Sequence, residues 1–132
     1  MDTEALPPVL TVIARIIGNP WLRALGAFCV GLIVFLSLIP GSWQERTPLP
    51  GPVEHFIAYA GTATILLLAA RRPRPDHYLL VLALLSAFSG LMEELQHFSP
   101  GRDPQIIGFV ASSLGAQAGT MFAWGLRRLA RT

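Results

Sequence analysis

Residues 51–102 read GPVEHFIAYAGTATILLLAARRPRPDHYLLVLALLSAFSGLMEELQHFSPGR, and two charge-free apolar runs inside this stretch decide the fold. They cover residues 56–70 and 78–92, fifteen residues each, and Arg71-Arg72-Pro73-Arg74-Pro75-Asp76-His77 joins them. Neither run alternates apolar and polar residues as a barrel strand does, and lipid offers no partner to an open backbone. Both are therefore predicted to be transmembrane helices. Fifteen helical residues rise about 22 Å, whereas the hydrocarbon core of a bilayer is about 30 Å thick. Each helix must thin the bilayer or extend into its polar flanks. Pro73 and Pro75 resist helix on the connecting side, so extension is expected at the opposite ends. It draws Glu54, His55, Glu93, Glu94, Gln96 and His97 to the hydrocarbon edge, where ionisable groups turn inward to pair or to line a cavity.

Outward from this stretch lie two more apolar runs, residues 24–39 (ALGAFCVGLIVFLSLI) and 105–126. The predicted architecture is all-α: a polytopic membrane protein with a four-helix domain over residues 21–128. Its spans are placed at about 22–40, 54–71, 77–96 and 104–126. Composition agrees. Of 132 residues, 52% are hydrophobic and 14% charged, with a mean hydropathy of +0.52. Soluble domains carry roughly a quarter charged residues, and so small a chain cannot bury this much apolar surface by itself. A lipid bilayer is the expected environment. An ordinary soluble enzyme, a disordered tail and a nucleic-acid binder are excluded. The single cysteine, Cys29, rules out an internal disulfide framework and any multi-cysteine metal site, and no cofactor is expected.

Residues 1–20 form an N-terminal segment in which Val9, Val12, Ile13, Ile16 and Ile17 recur at helical spacing before Gly18-Asn19-Pro20. About ten residues rise only ~15 Å as helix, too short to span, so a helix lying on the inner membrane surface is expected, with Arg15 toward the headgroups. A signal peptide does not fit: residues 1–14 hold two acids and no cation, and no small-residue cleavage site follows. If the spans alternate, Arg15, Arg23, Arg71, Arg72, Arg74, Arg127, Arg128 and Arg131 share one side, against Arg46 and Arg102 on the other. The positive-inside rule then places both termini, including the tail at 129–132, in the cytoplasm of a bacterial inner membrane.

Helical spacing says which polar groups meet. His55 and Tyr59 are four apart; Glu93, Gln96 and His97 are three and four apart; Glu94 reaches His97 at three. The short turn between the middle spans makes them antiparallel neighbours, so these groups gather at one extracytoplasmic end under the loop carrying Arg102. One reading is a pocket for a lipid headgroup, a lipid-linked cell-wall precursor or a glycopeptide. In it Arg102 grips a phosphate or carboxylate and His55 beside Glu93 moves a proton. The other reading is an internal network, in which Arg102 pairs with Glu93 and His55 bonds Gln96 or Glu94. Glu94-Leu95-Gln96-His97 has the spacing of half a di-iron carboxylate site, but no second copy is present, and no metal is expected. No HExxH, GxSxG or Walker motif occurs, so catalysis has little independent support. Ala111, Gly115 and Gly119 make a small-residue stripe that suits either close packing inside the bundle or contact with another membrane subunit.

His55-x-x-x-Tyr59, Glu93-x-x-Gln96, Pro100-Gly101-Arg102 and the spaced Gly115 and Gly119, in this order and each at a span end, resemble the VanZ-like family across residues 40–119. That resemblance implies a helical membrane fold and a link to the cell envelope and glycopeptide resistance, without an established reaction. The chain departs from the pattern at Gly51-Pro52, where the family has an Asp-Lys pair, and at Gly108 and Ser112, where it has Asp and Asn. The expected function is binding or altering an envelope component. The alternative, from the missing acids and the glycine stripe, is a non-catalytic structural or assembly subunit of a larger membrane complex.

Overall fold

The computed structural model describes residues 7–131; the parts of the N-terminal segment at 1–6 and of the tail at 132 lie outside them. Helix α1 (Pro8–Ile16) leads into α2 (Pro20–Leu38), a 3-10 turn (Gly41–Trp43), α3 (Gly51–Ala69), α4 (Pro75–Gln96) and α5 (Ile106–Leu129). No strand occurs among the described residues. Helices α2 to α5 are each long and apolar enough to cross a membrane. Large apolar side chains such as Phe28, Phe35, Leu84 and Phe122 stand exposed along them, as lipid-facing side chains do.

The middle spans reach membrane length in the expected direction, with one correction. Helix α3 begins five residues ahead of its apolar run and α4 ends four residues beyond its own, at Gln96. With 19 and 22 residues they are about 28 and 33 Å long. The correction is at Pro75, which opens α4 instead of delaying it. At the first helical position proline costs nothing, because its missing N–H has no intrahelical partner and its φ is preset. The Arg74 N–H is taken by His77 Nδ1 at 2.8 Å.

Helices α3 and α5 run parallel in tight contact and form the centre of the bundle. A Cβ at Gly115 would collide with the backbone carbonyl of Phe56, and one at Gly119 with that of Ala60. The two contacts repeat at the same four-residue step, so the glycine stripe is taken up inside the bundle by α3, with Ala111 half-buried at its edge. Without a hydrophobic drive between helices in lipid, this backbone approach supplies the packing. Thr64 Oγ1 adds to it by donating to Ala60 O (2.8 Å) and to Gly119 O (3.2 Å). The core proper is Ile33, Tyr59, Ala63, Leu85 and Ala116, bordered by Leu66, Val81, Leu82 and Phe88.

Two arginines close the ends of the bundle. Arg127 is 4% exposed; its Nε and Nη2 donate to Leu67 O at 3.1 and 2.7 Å, and Nη2 also reaches Leu68 O and Ala70 O. Those are the carbonyls that α3 leaves without helical donors, at the negative end of its dipole. Gly18, with φ of 78°, adds its N–H to Leu68 O at 2.8 Å. The α1–α2 junction, the α3–α4 connection and the α5 terminus therefore share one end, the Arg127 end. The α2–α3 and α4–α5 connections meet at the other, the Arg102 end. Helix α1 buries none of its residues and leaves Val9, Val12 and Ile16 open, an apolar stripe suited to a membrane surface.

Candidate functional site

Two adjoining cavities open at the Arg102 end. The inner one, about 110 Å³, lies between α2, α3 and α4, with Ile33, Leu36, Ala58 and Tyr59 among its walls. The outer one, about 500 Å³, spreads under the connecting loops. Gln44, Glu54, His55, Gln96 and Arg102 line both.

His55, in the second turn of α3, sets its Nδ1 3.2 Å from the Ser112 hydroxyl of α5, which has no exposure. Ser112 lines neither cavity, so the pair orients the imidazole and does not present a nucleophile. Tyr59 lies one turn deeper and is 3% exposed. Its hydroxyl bonds Ser89 of α4, and its ring tilts 45° to Phe88 at 6.3 Å between centroids. Gln96 ends α4 at the foot of the buried stripe Leu85, Ser89, Met92 and Gln96.

The charged members are held by backbone. Arg102 does not pair with Glu93. Its Nε donates to Ile39 O at 3.1 Å and its Nη2 to Leu36 O, so it caps the C-terminus of α2 as Arg127 caps α3. Ser99 Oγ joins it, on Leu38 O at 2.9 Å and Ile39 O at 3.2 Å. Gly41 N–H bonds Pro100 O at 2.9 Å, where any Cβ at Gly41 would strike the Gly101 carbonyl. Burial pulls the Arg102 guanidinium below its ordinary pKa, opposed by the charge of Glu93. Glu93 Oε2 accepts from the Gln105 N–H at 3.0 Å, the N-cap position of α5, where the helix dipole favours a carboxylate. Gly108 leaves room for it, because a Cβ there would collide with Glu93 Oε1. Glu54 accepts from the Thr47 hydroxyl.

Of the residues singled out from sequence, His55, Tyr59, Gln96 and Arg102 surround the inner cavity and Glu93 joins the outer one. Glu94 and His97 are exposed and line neither; the His97 ring bonds the Glu94 carbonyl at 3.1 Å, a contact within one turn. His55 and Glu93, expected to face each other, share the outer cavity, while their hydrogen bonds run to α5 and not to one another. Helix α3 packs most closely on α5, so His55 faces Ser112 and Glu93 faces the start of α5. Gln44 was missed because it follows an irregular turn with no periodicity. Ser89 was missed although it precedes Gln96 by two helical turns, a spacing that was available to be read. No group of three or more His, Cys, Asp or Glu among the described residues is placed to hold a metal ion. Compared with family models, with curated proteins and with solved structures, the chain matches none.

Proposed function

We propose that this membrane-embedded bundle is a VanZ-like envelope protein of a bacterial inner membrane whose Arg102 end faces outward and receives the headgroup of a lipid-linked envelope component. The observation that carries the reading is the pair of joined cavities, polar toward the loops and apolar toward the helices. Such a gradient fits an amphiphile entering from the membrane edge. The orientation is supported by the arginines. With Arg127 and Arg102 set aside as helix caps, seven remain at one end and Arg46 stands alone at the other, an asymmetry that puts the crowded end in the cytoplasm. The role is binding, since the hydroxyl beside His55 is sealed from both cavities. The glycine stripe, one of the two features that motivated a subunit role, is occupied by α3, which leaves that reading with the missing acids alone.

Expression in a glycopeptide-susceptible bacterium tests the reading. The full chain is expected to raise the inhibitory concentration of a lipid-bearing glycopeptide. His55→Ala at equal membrane abundance is expected to lose that effect. An unchanged inhibitory concentration with the chain correctly inserted would refute the proposal.

A further inference from the structure

The charged groups that line the inner cavity are held by the protein itself, Arg102 by the α2 carbonyls and Glu54 by Thr47, as Glu93 is by the α5 N-terminus; Arg46 and Asp103 line the outer cavity alone. Gln96 is different. It is 5% exposed, lines both cavities, and its carboxamide has no hydrogen-bond partner among the described residues. The amide stays open to the two cavities, where it offers a donor and an acceptor side by side at their junction.

We infer that the site selects an uncharged, amide-bearing amphiphile, whose amide pairs with the Gln96 carboxamide while its alkyl arm enters the crevice of Ile33, Leu36, Ala58 and Tyr59. The inference rests on the proposed function and sharpens it, because it removes anion recognition by Arg102 from the expected chemistry. A carboxamide bonds an amide in both directions at once but meets a phosphate with its donor alone. The outer cavity, at about 500 Å³, falls within the ordinary range for a small-molecule site. The amide belongs to either an acetamido sugar or a peptide, and both present the same pair of groups.

Affinities of the full chain in lipid nanodiscs for four probes test this: dodecyl N-acetylglucosaminide, an uncharged N-dodecanoyl dipeptide amide, dodecyl glucoside and dodecyl phosphate. At least one amide probe is expected to bind about tenfold or more tightly than dodecyl glucoside, the factor that ~1.4 kcal/mol gives; whichever amide probe does so identifies the source of the amide. Dodecyl phosphate is expected to show no advantage, and Gln96→Leu is expected to erase the preference. Tightest binding of the phosphate, or a preference that survives Gln96→Leu, overturns the inference and leaves the pocket standing. Failure of all four probes to bind overturns the proposed function with it. The probe series on the unmodified chain decides the matter even if Gln96→Leu fails to fold.

Discussion

Gly61, Gly108 and Gly119 differ in what faces the missing side chain, and that difference sets what alanine does at each. Nothing lies within 4 Å of a Cβ at Gly61, so Gly61→Ala is expected to gain about 0.5–1 kcal/mol from helix propensity alone. At Gly108 a Cβ meets the tip of Glu93, which can swing aside at the loss of one hydrogen bond, about 1 kcal/mol. At Gly119 it meets the Ala60 backbone, and α3 and α5 must part, at about 1–3 kcal/mol or more. Thermal unfolding in detergent should rank the three in that order, and a Gly119→Ala protein as stable as Gly108→Ala would contradict the packing described. Arg127 and Arg128 make a second contrast. Arg127→Met strips the α3 carbonyls of their donors and should cost at least about 2 kcal/mol. Arg128→Met loses a cation–π contact over Trp124 at 4.9 Å, about 0.5–1 kcal/mol. The two look alike in sequence as span-end cations. The stripe Gly115, Gly119, Ala123 does point at Arg127 four residues on, so its burial was readable. Its partners were not, because carbonyls of another helix carry no sequence signature.

Element lengths follow from a mismatch that was visible beforehand. Two runs of fifteen residues had to lengthen, and they lengthen into Glu54, His55, Glu93 and Gln96, which is why polar groups collect where they do. Neighbour choice was less legible. Connection length suggested α3 beside α4, yet the small residues at 115 and 119 let α5 come closer to α3 than the larger side chains of α4 permit. This explains why the Arg102 cap and the His55–Ser112 contact were not foreseen, while His55, Tyr59 and Gln96 were placed around one space. Helix α1 carries its own expectation. In a Cys29→Ser background, a polarity-sensitive fluorophore on Val12→Cys should emit blue-shifted in vesicles, and one on Arg15→Cys should emit as in water. Equal emission from both would show that α1 does not rest on the membrane by its Val9–Val12–Ile16 stripe.

At the scale of the whole molecule, the buried Arg127 and the half-buried Arg102 cap helices at opposite ends of a bundle whose α3–α5 centre is fixed by glycines. The space that remains lies between α2, α3 and α4 at the Arg102 end. To receive a headgroup as proposed, that space must be wet and reachable from outside the cell, although Ala58 lies two turns inside a membrane-length helix. Labelling of single cysteines, again without Cys29, by a membrane-impermeant thiosulfonate added to intact cells measures this directly. Gln44→Cys and Ala58→Cys should react from outside. Leu32→Cys, on the lipid-facing side of α2, and Arg72→Cys, at the Arg127 end, should not. An Ala58→Cys protein as inert as Leu32→Cys, or Arg72→Cys labelled in place of Gln44→Cys, would contradict the account.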